Sequence, residues 1–223
     1  TIKSGTANEA EFTYAIADPD GIGSGSEFGE ALSLSDPNIL VGARKAGPND
    51  RGKAYIYNTS GTLLHTLTPP VEEDYSEFGT SVHIQGSYAI VGARMYPRTV
   101  DGTVTYSGAA FVYNLSDGSF VYSVNKPIEE ITHYNEFGAV VFANDNYLIV
   151  GDIDGSGNVQ QPDTDGGIAY LFNLSDGTYI DVVRSDEDSE RLAESGFRRI
   201  VADNSTLYLG SGGGRVREYA LPL

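Results

Sequence analysis

The chain has no cysteine, no tryptophan, one methionine and three histidines, and its 14 Lys and Arg face 31 Asp and Glu. Without cysteine there is no disulfide staple, thiolate metal site or cysteine nucleophile, and the redox compartment stays open. His65, His83 and His133 fall at unrelated places, which argues against a zinc centre and for isolated surface residues. A formal charge of -17 offers no cationic footprint for phosphate, which argues against nucleic acid and anionic membrane as partners. No stretch of eighteen apolar residues occurs, so membrane insertion is not expected, and the polar start at Thr1 puts any export signal outside these residues.

What is present is a repeat. Ser26-Glu27-Phe28-Gly29 returns as Ser76-Glu77-Phe78-Gly79, as Asn135-Glu136-Phe137-Gly138 and loosely as Glu194-Ser195-Gly196-Phe197. Fourteen residues after each of the first three phenylalanines comes the glycine of Val41-Gly42-Ala43, Val91-Gly92-Ala93 and Val150-Gly151-Asp152. The fourth copy, Leu209-Gly210-Ser211, is one residue short. A third signature follows after a loop of variable length: Ala54 to Asn58, Ala110 to Asn114, Ala169 to Asn173 and the degenerate Arg217 to Leu221. Period-two placement of Tyr55 with Tyr57 and Phe111 with Tyr113, with Ile56 and Val112 between them, predicts strands apolar on both faces, as in a sheet packed between two others. The turns ending in Gly61, Gly118 and Gly177 supply the positive φ that short hairpins need.

These three signatures, in this order, resemble the FG-GAP repeat of integrin α-subunit propellers and of many bacterial and marine-phage surface proteins. The resemblance spans nearly the whole chain and implies an all-β fold, a β-propeller with four antiparallel strands per blade. It implies function only weakly, because such repeats serve adhesion, ligand binding and scaffolding alike.

Four blades are expected, at about 28–68, 78–126, 137–184 and 197–221. Residues 1–10 form an arm and 11–223 a single propeller domain, since 223 residues fit one all-β domain. The fourth repeat lacks a last strand and Glu11 to Ile16 is a spare one, so the N-terminal strand is expected to close the last blade and leave no bare edge. The alternative is half of a larger ring that dimerises.

In this arrangement the connections entering each first strand, and those from second to third strands, share one rim, which holds the long, charged loops where binding usually resides. Glu27, Glu77 and Glu136 enter that rim at equivalent positions and are candidates for attracting a cation or an amine. Arg44 and Arg94 are placed to neutralise them, with Asp152 and Ser211 in the arginine's place in repeats three and four. Tyr75, Tyr96, Tyr106 and Tyr134 are candidate contacts for a sugar or a protein. Asp152-Ile153-Asp154-Gly155-Ser156-Gly157 resembles the start of a calcium loop, which makes Asp152, Asp154 and Ser156, with Asp163 and Asp165 further on, candidate Ca2+ ligands; the competing reading is an ion-free polar loop. Glu72-Glu73-Asp74 and Asp186-Glu187-Asp188 read as solvated charge runs.

No nucleophile elbow, phosphate-cradling loop or histidine-carboxylate-serine grouping is present, so no catalytic residue is expected. The expectation is a non-enzymatic adhesion or recognition module, extracellular or on a virion surface, whose partner is a protein or glycan on a surface or neighbouring copies of itself. The alternatives are a structural decoration subunit of a virion or filament, and a glycan-active enzyme or accessory domain.

Overall fold

Alternating β-branched and aromatic residues between glycine turns give strands throughout the computed structural model, which describes residues 13–21, 23–130, 136–153, 167–184, 197–211 and 216–222. The first sheet runs β1 (Ala31–Ser35), β2 (Asn38–Ala43), β3 (Lys53–Asn58) and β4 (Leu63–Leu67). The second begins with β5 (Phe78–Gln85) and β6 (Tyr88–Ala93), is interrupted by a hairpin of β7 (Pro97–Val100) and β8 (Thr103–Tyr106), and resumes with β9 (Ala109–Asn114) and β10 (Phe120–Asn125). The third is β11 (Phe137–Ala143), β12 (Tyr147–Asp152), β13 (Ile168–Asn173) and β14 (Tyr179–Arg184). The fourth has β15 (Phe197–Ala202), β16 (Thr206–Ser211) and β17 (Val216–Ala220). Every pairing within these sheets is antiparallel between neighbours, so each sheet is a blade-like meander.

The core lies between sheets. Leu40, Ile56 and Leu67 of the first pack on Phe78, Val82, Val91 and Phe111 of the second, and the pattern repeats from second to third and from third to fourth. Both faces of the middle sheets are therefore apolar, as the period-two pattern predicts.

The two glycine signatures are halves of one joint. A Cβ on Gly42 would lie 2.1 Å from the carbonyl oxygen of Gly79, and one on Gly92 would lie 2.0 Å from that of Gly138. Conversely, Gly79 and Gly138 take φ of 95° and 94° with no room for a Cβ against Lys53 and Ala109. The adjacent phenylalanine is the other half of the anchor: Phe78 packs edge-on against Phe111 and Tyr113, and Phe137 against Tyr170 and Phe172. The fourteen-residue spacing itself is set within each sheet, by the hairpin register that pairs Phe78 with Ala93 and Phe137 with Asp152, while the stretch from one joint half to the next runs through loops of variable length.

At the ends of the series the joint is half-made. Nothing lies within 4 Å of a Cβ on Gly29, and one on Gly210 would meet only Arg199 of its own sheet, at 3.5 Å. Ile16 and Phe28 cover Val41, Tyr55 and Tyr57 on the outward face of the first sheet, but Leu32 and Leu34 there stay 63% and 68% exposed. On the far face of the fourth sheet Val201 and Val216 are 59% and 72% exposed.

The expected N-terminal fourth strand of the last sheet is not formed among the described residues: Thr13 to Ile16 has no strand pairing, and β17 is the edge of a three-stranded sheet. The rest of that expected strand, Glu11 and Phe12, lies outside the described residues, as does the expected arm at 1–10. Tyr14 instead donates to the carbonyl of Thr59 at 2.6 Å, beside the hairpin turn at Gly61. The outer strands of the first two sheets grip the next sheet's turn in the same way, His65 at the carbonyl of Ser116 (3.2 Å) and Tyr122 at that of Leu174 (2.5 Å). Tyr14 thus meets the turn of the first sheet as His65 and Tyr122 meet the turns of the second and third.

Candidate functional site

The rim carrying the connections into β1, β5 and β11 is organised by arginines projecting after β2 and β6. Arg44 pairs with Glu27, Glu30 and Glu77; Arg94 pairs with Glu77 at 2.7 Å and with Glu136 at 3.1 Å. Lys45 closes the end of the chain of charges on Glu27, and its hydrogen bond, working against partial desolvation, holds the Glu27 carboxyl below the ordinary carboxylate range. Glu27 and Glu77 reach these partners from left-handed backbone, φ 55° and 52°, a conformation that non-glycine residues adopt only under tertiary constraint. The three carboxylates are thus neutralised within the protein, and the expected attraction for a cation or an amine has no unpaired ring of charge behind it.

Asp152 is placed differently from the sequence expectation. Its register partner is Phe137, as Phe78 is Ala93's, so Asp152 stands at the alanine of the second signature and Ile153 at the arginine's position. The carboxylate points into the protein: Oδ2 receives the Lys126 ammonium at 2.8 Å, Oδ1 accepts the Glu136 amide at 2.9 Å, and both side chains of the pair are fully buried. With its oxygens committed inward, Asp152 does not face the loop as a Ca2+ ligand. The other four candidates, Asp154, Ser156, Asp163 and Asp165, lie outside the described residues. Among the described residues no group of three or more His, Asp or Glu is placed to hold a metal.

The tyrosines divide. Tyr75 and Tyr106 are exposed on the rim, whereas Tyr96 is structural, stacking on Phe111 at 5.1 Å and donating to the carbonyl of Val71 at 3.0 Å. Tyr134 lies outside the described residues. The acidic run at Glu72 is not merely solvated, since Arg51 pairs with Asp74 at 2.7 Å and with Glu72 at 3.3 Å. Two histidines are inter-sheet contacts rather than surface residues: His65 at the turn of the second sheet, and His83 against Phe142 and the carbonyl of Ala143.

The connection 94–107 of the second sheet holds the β7–β8 hairpin. The signal is Asp101-Gly102 flanked by alternating residues, and both take positive φ, 49° and 78°, as a two-residue hairpin turn requires. Arg98 ties the hairpin to the next connection by donating to the Lys126 carbonyl at 2.8 Å. Val71, Tyr75, Val104, Tyr106 and Ile128 are all exposed on three successive rim connections, which Tyr96 and Arg98 tie to one another.

Beside the first strands of the four sheets a cleft of about 430 Å³ is lined by Glu30, Arg44, Thr80, Arg94, Ala139, Val140, Ile153 and Arg199. All four sheets or their rim connections contribute to it.

Residues 62–113 match the FG-GAP repeat family. No curated protein matches the chain in sequence. Among solved structures it is similar to the computationally designed Ika4 protein, at 15% identity and a TM-score of 0.55, over 95% of this chain and 100% of that one. It is also similar to BamB from Moraxella catarrhalis, a β-propeller, at 13% identity and a TM-score of 0.51, over 86% of this chain and 46% of BamB. These likenesses concern the fold. No helix among the described residues is long and apolar enough to cross a membrane.

Proposed function

We propose that this chain, a β-propeller carrying an FG-GAP repeat, is a non-enzymatic recognition module, exported or displayed on a cell or virion surface, that binds a protein or glycan through the rim around the β7–β8 hairpin. The observation that carries this reading is the exposed group of Val71, Tyr75, Val104, Tyr106 and Ile128, held on three connections by Tyr96 and Arg98. Apolar and tyrosine area on anchored loops, ringed by charge, has the composition of a protein-binding or sugar-binding surface.

In the same proposal the scaffold is a ring of four blades whose fourth strand in the last blade is the N-terminal segment. The support is complementary: Gly29 and Gly210 each lack the half of the joint that the other supplies, and Tyr14 grips the first sheet as His65 and Tyr122 grip theirs. A strand added to β17 from this segment also gives the last sheet the four strands of the other three and covers the edge that β17 presents.

The test is binding of labelled protein to a glycan array and to intact cells, beside a Tyr75→Ala, Val104→Ser, Tyr106→Ala variant of unchanged melting temperature. Saturable binding lost in the variant is expected; equal binding by both proteins overturns the rim as the contact surface.

A structural decoration subunit is the second reading, and one observation favours it. The first residues of the outer strands repeat an exposed apolar pair at one position, Leu63 with Leu64, Phe120 with Val121 and Tyr179 with Ile180. A symmetric outer belt suits packing between neighbours, so concentration-dependent assembly abolished by Leu64→Ser and Val121→Ser would favour this reading over the rim.

A further inference from the structure

The lining of the cleft is richer in cationic side chains than the molecule as a whole. The protein carries a formal charge of -17, yet the cleft wall holds three guanidiniums, Arg44, Arg94 and Arg199, against one carboxylate, Glu30. Arg44 is spent on its three glutamates. Arg94 uses Nε and Nη1 on Glu77 and Glu136 and keeps Nη2 unengaged. Arg199 makes no ion pair or hydrogen bond among the described residues.

Arg199 is also where the repeat is broken without need from the scaffold. It pairs with Gly210 as Ala31 pairs with Gly42, Ser81 with Gly92 and Val140 with Gly151. Three small or apolar residues serve at this register, so packing does not call for an arginine. The opposite wall is Ala139, Val140 and Ile153, with Ile153 standing where the first two repeats have Arg44 and Arg94. One side of the cleft is therefore apolar and the other offers a forked donor.

We propose that this cleft binds a small organic acid, with Arg199 and the Nη2 of Arg94 holding its carboxylate and Ala139, Val140 and Ile153 packing against its short carbon body. A guanidinium presents donors in a planar fork that matches a carboxylate, and a space of this size lies at the small end of ligand sites. With Arg44 committed to its glutamates and Glu30 on the wall, the cationic groups left to a ligand are Arg199 and the Nη2 of Arg94, so a monocarboxylate of sugar-acid or hydroxy-acid size fits better than a polyanion does. The site is separate from the hairpin rim and stands or falls independently of it.

The experiment is a titration of the full chain with D-glucuronate and with L-lactate at fixed ionic strength, followed by amide and arginine side-chain NMR shifts, with D-glucose as the neutral control. Saturable shifts confined to Arg94, Val140, Ile153 and Arg199 are expected with an acid and absent with glucose. Arg199→Gln should weaken binding at least tenfold, Arg199→Lys should weaken it less because a point charge remains, and Glu30→Gln should tighten it. Linear, unsaturated shifts, or equal affinity of wild type and Arg199→Gln with their melting temperatures equal, would overturn the proposal. If Arg199→Gln fails to fold, the sign of the Glu30→Gln effect decides: no gain in affinity counts against an anion in this cleft. Loss of array binding by the rim variant with these shifts intact would separate the two sites.

Discussion

At the scale of single residues the decisive contact is the buried pair of Lys126 and Asp152. Two charges inside the protein are tolerated only while each has the other, because removing one partner strands a desolvated ion. Asp152→Asn should therefore cost about 3–5 kcal/mol in urea unfolding, while Lys126→Met with Asp152→Leu should recover most of that loss. A fall under about 1 kcal/mol for the single variant would mean that water reaches the pair. His83 makes the complementary pH argument. Burial beneath Phe142 lowers its pKa from the ordinary 6.5, against the opposing hydrogen bond to Ala143. The folded state thus favours the neutral ring, so this contribution is complete above pH 6.5 and is lost as the pH falls from there through the lower folded value. The wild type should lose more melting temperature between pH 7.5 and 5.5 than His83→Gln does. Equal losses would place the acid sensitivity of this window in another group, and not in the carboxyls of Asp117 and Asp203, which hydrogen bonds from Ser119 and Ser205 hold low and which matter only below about pH 4.

At the scale of elements the inter-sheet joint predicts a graded series. A methyl on Gly92 would press on the Gly138 carbonyl and can be relieved only by moving a backbone, so Gly92→Ala and Gly42→Ala should each cost about 1–3 kcal/mol by thermal or urea unfolding. Gly210→Ala reads out the last joint: a cost like Gly92's means that the first sheet is seated against it, and a neutral result means that the seam is open. These joints are also why so much is legible in the sequence. Phe-Gly and Val-Gly-Ala are each pinned by backbone approach to a neighbouring sheet and held at fixed spacing by the hairpin between them, a pattern that shows without any structure. The hairpin at Asp101-Gly102 is equally legible, but its position inside a variable connection masks it. The alignment of Val150-Gly151-Asp152 with Val91-Gly92-Ala93 already places Asp152 at the alanine, but its inward turn is not legible, because the Lys126 that neutralises it arrives from a connection 26 residues earlier. Arg199 likewise draws attention only once its small-residue equivalents are aligned through their glycine partners.

For the whole molecule the question is what occupies the outer side of β17. A chain that starts at Ala17 loses Tyr14 and Ile16, which cover the first sheet, and with them the segment proposed to pair with β17. The truncated protein should melt lower and associate with rising concentration in light scattering, since a bare strand edge is a template for another chain. An unchanged melting temperature and a monomer at all concentrations would leave the N-terminal segment no closing role.

The grip of each outer strand on the following turn carries a dynamic consequence. Because His65 and Tyr122 anchor β4 and β10 to hairpins that belong to the next sheet, a wall strand cannot fray without releasing its neighbour's turn. Amide exchange along the circumference should accordingly show protection shared between an outer strand and the adjoining hairpin, with openings that engage sheets two at a time rather than strand by strand.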